Sequence, residues 1–179
     1  MQNIVLIGFM GSGKTVVAKA LSKKLKMKIK DTDKLIEKTT KLKIKEIFAK
    51  YGEEYFRKIE KKVAKNVSRG KNIIISTGGG IVKNEINIKN LKKNGIIVYL
   101  KNSFLTSVKR LKNKKDRPLF DHKNLKKYKK KLFILRQKLY EKAADIIIKT
   151  DNKSIKEVAN EIIEKIKILE KNKNDNNKS

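Results

Sequence analysis

The stretch GFMGSGKT, residues 8–15, decides the fold of this chain, because it matches the pattern G-x-x-x-x-G-K-[ST]. Residues 3–7 before it form a short apolar run typical of a buried strand, and residues 16–25 after it have apolar side chains at helical spacing. A chance glycine-rich turn would not combine all four fixed positions with both flanks. The stretch therefore predicts a phosphate-binding loop for a nucleoside triphosphate.

Each part of this loop is suited to holding phosphate. Its glycines let backbone N–H groups turn inward around an anion, and the helix N-terminus adds partial positive charge. Lys14 can reach the outer phosphates, and the Thr15 hydroxyl can ligate Mg²⁺. The predicted nucleotide-binding residues of the loop are Gly11, Ser12, Gly13, Lys14, Thr15 and Val16.

Composition restricts the class of protein. A chain of 179 residues with 39% hydrophobic and 37% charged residues is long enough for one soluble domain with a buried core. No apolar run approaches the ~18 residues that a membrane span needs. The sequence has no cysteine, which excludes disulfides and thiolate metal sites. Because residues 1–2 lead directly into the first strand, we expect no signal peptide and a cytoplasmic protein.

The formal net charge of +30 would fit a nucleic-acid or membrane surface. The lysines, however, are scattered along every helix, which favours solvated helix faces and no dedicated nucleic-acid or membrane partner. Arginine is scarce. Where the chain keeps an arginine, its presence indicates a need for the planar guanidinium, which forms two parallel hydrogen bonds that lysine cannot imitate. The arginines are Arg57, Arg69, Arg110, Arg117 and Arg136.

The remaining pattern alternates strands and helices. Such alternation predicts an α/β fold, a three-layer sandwich with a five-stranded parallel sheet covered on both faces. Predicted strands lie at residues 3–7, 28–30, 72–76, 96–100 and 145–149; predicted helices lie at 16–25, 34–38, 44–50, 53–69, 85–93, 103–112, 125–143 and 154–170. We expect one domain over residues 1–170, mobile insertions around 31–62 and 112–124, and a disordered tail over 171–179.

In open α/β sheets, ligands bind beyond the carboxyl ends of the strands. The segments that follow four predicted strands should therefore converge on one site. These segments are the phosphate loop, residues 31–33 (Asp-Thr-Asp), the triple glycine 78–80 and residues 150–153.

Residues 31–33 are candidates for catalysis and metal binding. Because the strand over 72–76 ends without the aspartate that P-loop ATPases commonly use for Mg²⁺, Asp31 could assist Thr15 at the metal through water. Asp33 could then orient a substrate hydroxyl or receive its proton. The alternative is that both aspartates only cap the helix that follows.

Two further features have alternative interpretations. Gly78, Gly79 and Gly80 are either a flexible turn or a place where a small substrate approaches backbone N–H groups closely. Arg57 has Glu54 and Glu60 three residues away on each side. It is either a surface ion pair or an arginine held by Glu60 and directed at a substrate anion.

Taken in order, these motifs resemble shikimate kinase, a small member of the nucleoside-monophosphate-kinase-like P-loop enzymes. The resemblance covers about residues 3–166, nearly the whole fold. Its marks are GFMGSGKT (8–15), DTD (31–33), FRKIE (56–60), STGGG (76–80), DRPLF (116–120), RQKLYEKAAD (136–145) and KTDNKS (149–154). This chain departs from the family pattern at Gln137 and Lys138, where the family often has proline. It also departs in the charges of Lys115 and Asp116.

The resemblance implies an activity and a set of roles. The activity is transfer of the γ-phosphoryl group of ATP, with Mg²⁺, to the 3-hydroxyl of shikimate in chorismate and aromatic amino-acid biosynthesis. For the substrate, the resemblance implies hydroxyl contacts from Asp33 and the glycines around Gly79, and carboxylate contacts from Arg57 and Arg136. For the nucleotide, it implies that Lys14 and Arg117 brace the phosphoryl group and that Arg110 and Lys153 contact the adenine. Residues 112–124 would be a lid that brings Arg117 over the phosphates.

Two other functions remain alternatives. A related small-molecule kinase, of gluconate or of nucleotides, shares the phosphate loop, but a nucleotide acceptor would need a base pocket. A basic nucleic-acid-associated P-loop protein is suggested by the net charge. For the kinase we expect a monomer with shikimate and ATP as its partners.

Overall fold

The computed structural model describes residues 2–112 and 123–176, and the elements within them alternate as predicted. The strands are β1 (Asn3–Ile7), β2 (Lys28–Asp31), β3 (Ile73–Ser76), β4 (Gly95–Lys101) and β5 (Ile146–Lys149). The helices are α1 (Lys14–Leu25), α2 (Thr32–Thr40), α3 (Ile44–Val67), α4 (Glu85–Lys92), α5 (Phe104–Lys112), α6 (Lys123–Ala143) and α7 (Ile155–Asn176), with a short 3-10 helix at Ile81–Lys83.

The five strands form one parallel sheet in the order β2-β3-β1-β4-β5. The central strand β1 pairs with β3 through Ile4 and Ile74, and with β4 through Ile4 and Ile96. Because β1 and β3 are neighbours, the phosphate loop after β1 and the triple glycine after β3 leave the sheet side by side. This arrangement confirms the predicted α/β fold with a five-stranded parallel sheet.

Alternate side chains of the sheet enter two hydrophobic layers. Ile4 and Leu6 of β1 pack with buried residues of α1 and α7 on one face. Val5 and Ile7 pack with residues of α3, α4 and α6 on the other face. Full burial of one such aliphatic side chain contributes about 1.5–3 kcal/mol. Both layers therefore hold the ends of β1, and with them the phosphate loop, in a fixed position.

A third, smaller cluster lies within the segment after β2. It consists of the buried side chains Ile36, Ile47, Phe56 and Val63, from α2 and α3. The sequence predicts two helices over 44–50 and 53–69, and the backbone agrees, because Gly52 within α3 is non-helical, with φ 75° and ψ 179°, and separates two helical parts. A glycine adopts this positive φ readily, so the chain can turn there without strain from a side chain.

The C-terminal part of the chain differs from the prediction of a disordered tail over 171–179. The helix α7 continues to Asn176, and residues 177–179 lie outside the described residues. Ile162 and Ile166 anchor this helix in the core, and no glycine or proline follows before its end. Most of the predicted lid over 112–124 also lies outside the described residues. Among the helices described, none is long and apolar enough to cross a membrane.

Candidate active site

The phosphate loop has the backbone that its glycines allow. Gly8, Gly11 and Gly13 have φ values of 148°, 80° and 97°, and α1 begins directly afterwards at Lys14. The Lys14 ammonium donates to the carbonyl oxygens of Gly8 at 2.7 Å and of Phe9 at 3.0 Å. The lysine therefore lies across the loop, where phosphate oxygens would sit within its reach.

A cavity of about 670 Å³ opens over this loop at the carboxyl ends of the strands. It brings together segments that are far apart in the chain, as the position of ligand sites in open α/β sheets predicts. Of the predicted site residues, its walls include Gly11, Ser12, Gly13, Lys14, Thr15, Val16, Asp31, Asp33, Gly79, Arg110 and Lys153.

The two aspartates at the junction of β2 and α2 differ in their surroundings. One carboxylate oxygen of Asp31 accepts hydrogen bonds from the backbone N–H of Asp33 at 3.0 Å and of Lys34 at 3.3 Å. Asp31 is therefore the N-cap of α2, as the alternative interpretation states, and it lines the cavity as well. The Asp33 carboxylate instead lies against the backbone of Gly78.

The donor set near the phosphate loop suits Mg²⁺. Thr15 and Asp31 both line the cavity and offer a hydroxyl and a carboxylate oxygen. Within the described ranges, no three histidine, aspartate or glutamate residues come together as a protein metal cage. Mg²⁺ commonly uses one or two protein oxygens together with water and substrate phosphates, so these residues fit that ion.

The triple glycine lies against charged side chains of two helices. A Cβ atom added to Gly78 would overlap the Asp33 carboxylate, and one added to Gly80 would overlap the Arg57 guanidinium. At Gly79 an added Cβ would meet only ordinary contacts of 3.6 Å or more. The absence of side chains at Gly78 and Gly80 is therefore what lets Asp33 and Arg57 approach this loop.

Two donors from α6 hold the carbonyl oxygen of Gly79. It accepts hydrogen bonds from Arg136 Nη1 at 3.1 Å and from the Tyr140 hydroxyl at 2.5 Å. Tyr140 stacks on Tyr99, with ring centroids 5.0 Å apart, and burial raises the pKa of Tyr140 above its usual value. Tyr140 therefore remains a protonated donor at neutral pH. Tyr140 is not among the site residues predicted from the sequence, although it lies four positions after Arg136, one helical turn along.

Arg57 is held by acidic residues on its own helix. Its Nη1 donates to Glu60 at 2.8 Å, as the sequence predicts, while Nε and Nη2 both donate to Glu53 at 3.1 Å. Glu54, three residues before Arg57, instead pairs with Lys58 at 2.9 Å. The i,i+4 spacing places Glu53 on the side of the helix that Arg57 occupies.

Glu60 is the most buried acidic residue of the site, with 2% of its surface exposed. Burial raises its pKa above the usual value, although the nearby charges of Arg57, Arg136 and Lys83 act in the opposite direction. Lys83 also donates to Glu53 at 2.5 Å, which connects α3 to the short helix after the triple glycine. No local sequence pattern indicates this contact, because Lys83 and Glu53 are 30 residues apart.

Arg110 and Lys153 border the cavity on the side of β5. Arg110 Nη2 donates to the Thr150 carbonyl at 2.8 Å, and Nη1 approaches the Ser12 carbonyl at 3.4 Å. Lys153 pairs with Glu161 of α7 at 2.6 Å. Both cations therefore have fixed protein partners at the rim. Arg117 lies outside the described residues.

Comparison with known proteins gives a consistent result. A family model described as shikimate kinase matches residues 10–167. A curated relative, the shikimate kinase of Caldanaerobacter subterraneus subsp. tengcongensis, is 45% identical over 163 residues, which are 91% of this chain and 95% of that protein.

Solved structures agree with the sequence comparison. A shikimate kinase from Acinetobacter baumannii in complex with shikimate superposes with a TM-score of 0.86 at 34% identity, covering 93% of each chain. The shikimate kinase from Aquifex aeolicus superposes with a TM-score of 0.77 at 39% identity, covering 92% of this chain and 96% of that one.

Proposed function

Because this chain belongs to the shikimate kinase family, we propose that it transfers the γ-phosphoryl group of ATP to the 3-hydroxyl of shikimate. ATP-dependent phosphorylation of shikimate is the activity of this family, and the products would be shikimate 3-phosphate and ADP. The single observation that carries the proposal for this chain's own residues is that Asp33, Arg57 and Arg136 converge on the triple glycine.

The two arginines would bind the carboxylate of shikimate. A guanidinium offers two parallel N–H groups to a carboxylate, which an ammonium cannot do. Within the part of the chain that the structure describes, the buried Nε of Arg136 has no hydrogen-bond partner. A buried donor without a partner costs free energy, so a substrate oxygen that accepts from it would be bound favourably. Glu60 would keep Arg57 directed toward this place.

Asp33 would hold the hydroxyl that is phosphorylated. Its carboxylate lies beside Gly78 and lines the same cavity as Lys14. It could accept the hydroxyl proton as the oxygen attacks the phosphorus atom, which is the usual role of such a base. The glycines would let the substrate ring approach the backbone closely.

The phosphate loop would bind and neutralise the triphosphate. Phosphoryl transfer depends on positioning and on neutralising charge more than on covalent help from the protein. Backbone N–H groups of the loop would surround the β-phosphate, while Lys14 would leave the Gly8 and Phe9 carbonyls to meet the γ-phosphate. Arg110 and Lys153 would flank the adenine at the rim of the cavity.

Thr15 and Asp31 would hold Mg²⁺, Thr15 directly and Asp31 through water. The ion would neutralise oxygens of the β- and γ-phosphates when it is bound. Asp31 can do this while it caps α2, because a carboxylate offers about four acceptor positions and the backbone N–H groups use only one oxygen.

Further parts of the proposal come from the family resemblance. Arg117, on a lid over residues 112–124, would brace the transferring phosphoryl group, and residues 31–62 would form the substrate-binding insertion of a single domain. We also propose that the enzyme is a monomer. We propose a cytoplasmic enzyme, since ATP is abundant there.

Coupled ADP release by the purified protein tests the proposal. We expect ATP- and Mg²⁺-dependent ADP formation on addition of shikimate, and far less with gluconate or with nucleoside monophosphates. The product should carry phosphate on the 3-oxygen, which ³¹P and proton NMR would identify. Faster turnover of gluconate or of a nucleotide than of shikimate would contradict the assignment.

A further inference from the structure

Asp151 is a carboxylate beside the nucleotide cavity that the reaction described above does not use. It is the second residue after β5, next to Thr150. Thr150, Lys153 and Ser154 line the cavity, whereas Asp151 is not among the lining residues. Its hydrogen bonds go instead to the start of α5.

Asp151 joins the segment after β5 to the first turn of α5. Its carboxylate accepts from the Ser103 backbone N–H at 3.0 and 3.2 Å and from the Thr106 hydroxyl. The Ser103 hydroxyl already caps this turn by accepting from the Thr106 N–H at 3.1 Å. Asp151 therefore adds a second cap, from 48 residues away, with a negative charge placed where the helix dipole favours it.

Arg110 joins the same two segments one turn further along α5. Its Nη2 donates to the Thr150 carbonyl at 2.8 Å, and its charge lies close enough to Asp151 to affect it. Burial works to raise the pKa of Asp151, but the hydrogen bonds from Thr106 and Ser103 and the charge of Arg110 lower it below the usual value. The adjacent residues Thr150 and Asp151 thus hold both ends of one helical turn of α5.

The position of α5 in turn determines the wall of the phosphate loop. Gly11 approaches α5 so closely that an added Cβ would lie 2.8 Å from the Ser107 carbonyl oxygen and 3.1 Å from Leu111. Val108 and Leu111 also pack with Met10 of the loop. A shift or rotation of α5 would therefore move both Arg110 and the loop backbone that surrounds the triphosphate.

We propose that Asp151 is a positioning residue for the nucleotide: by fixing α5 against the segment after β5, it sets the affinity for ATP without touching either substrate. The inference rests on the proposed function only in that the cavity takes an adenine nucleotide. It predicts a loss of affinity with little change in the chemical step, because Lys14 and Asp33 are attached to other elements.

The test compares Asp151→Ala and Thr106→Val with the parent enzyme. Calorimetric titration with ADP measures affinity, and steady-state kinetics separate the ATP KM, the shikimate KM and kcat. For Asp151→Ala we expect the ADP Kd and the ATP KM to rise about tenfold, equivalent to about 1.4 kcal/mol. The shikimate KM should be unchanged and kcat should stay within about threefold. Thr106→Val, which removes one hydroxyl, should shift the ADP Kd in the same direction by less.

Asp145 provides the matched control. It lies at the other end of β5, away from the cavity, and its carboxylate accepts from the Ile97 N–H at 2.7 Å and from Lys92 at 2.8 Å. Asp145→Ala should lower the Tm as a lost structural contact does, but leave the ADP Kd unchanged. An equal rise in Kd for this control would overturn the inference, because general loosening would then explain both.

Other results also decide the matter. If Asp151→Ala folds and its Kd for ADP is within about twofold of the parent value, the inference is contradicted. A loss that is confined to kcat also contradicts it. If Asp151→Ala does not fold, Thr106→Val and Asp151→Asn decide it by the same titration. A parent protein that binds ADP but does not phosphorylate shikimate would refute the proposed function while leaving the role of Asp151 open to the ADP measurement.

Discussion

The Arg57 guanidinium donates to the Glu60 carboxylate at 2.8 Å, and this ion pair lies at the point where α3 meets the triple glycine. Glu60 is almost fully buried, while 20% of the Arg57 side chain remains exposed. Burying a carboxylate costs free energy unless a cation and hydrogen bonds compensate for it. The pair therefore directs an arginine into the site at some cost in stability, and that cost should depend on pH.

Glu60→Gln tests that cost. Since burial raises the pKa of Glu60 in the folded protein, the folded state holds the proton over a pH range in which the unfolded state, with a pKa near 4.5, has lost it. The parent should therefore lose stability relative to Glu60→Gln as pH rises from about 4.5 toward the folded-state pKa. Urea unfolding of both proteins across this range measures the difference.

The exposed Glu54 is the control for that experiment. Its hydrogen bond with Lys58 lowers its pKa. The stability due to this group is present above the unfolded-state pKa and is lost as pH falls, so Glu54→Gln should show the opposite trend or none. A constant difference between Glu60→Gln and the parent at all pH values would show that Glu60 does not titrate in this way.

Gly78→Ala and Gly80→Ala should damage different steps. Neither glycine has a positive φ, so a methyl group there acts through the side chain it displaces. At Gly78 it would push Asp33 aside and lower kcat; at Gly80 it would push Arg57 aside and raise the shikimate KM. We expect kcat of Gly78→Ala to fall and the shikimate KM of Gly80→Ala to rise by at least tenfold each, equivalent to about 1.4 kcal/mol. Steady-state kinetics at saturating ATP measure both, and the same kinetic defect in the two variants would contradict these separate contacts.

Arg136→Lys should raise the shikimate KM by roughly tenfold or more, with little change in the ATP KM. A lysine would keep the positive charge but could not supply the buried Nε and Nη1 donors in one plane. Arg69→Lys, at an exposed helix end, is the matched control and should change neither constant. Unaltered shikimate binding by Arg136→Lys would place the carboxylate site elsewhere.

Asp33→Asn should lower kcat by at least ~10²-fold, the usual contribution of a positioned general base. Asp31→Asn should instead raise the Mg²⁺ concentration needed for half-maximal rate. Asparagine retains the oxygen that caps α2, so this variant should keep the parent Tm within error. The roles assigned to the two aspartates would be wrong if both variants showed the same Mg²⁺-dependent defect.

Lys14→Ala should abolish turnover through kcat while the protein remains folded. Lys14 donates to loop carbonyls and is only partly buried, so its removal exposes little apolar surface. Its charge would act mainly on the γ-phosphate as negative charge is redistributed in the transition state. Circular dichroism confirms folding, and single-turnover phosphate transfer measures the rate. Near-parent activity would exclude the lysine from the reaction.

Several features could be predicted from the sequence because they depend on local physics. The pattern of residues 8–15 between a strand and a helix requires a loop of this shape, and the alternation of strands and helices leads to a parallel sheet. Ligand sites lie at the carboxyl ends of such sheets, so the convergence of residues 31–33, 78–80 and 150–153 also followed. The identification of Glu60 as a partner of Arg57 depended on helical spacing alone.

Other features were decided only by the tertiary structure, because they join residues that are distant in sequence. The Lys83 contact with Glu53, the Tyr140 hydroxyl on Gly79 and the Asp151 contact with α5 span 30 to 61 residues. Local sequence patterns contain no information on such pairs. They arise when the two faces of the sheet pack, and packing is a property of the whole core.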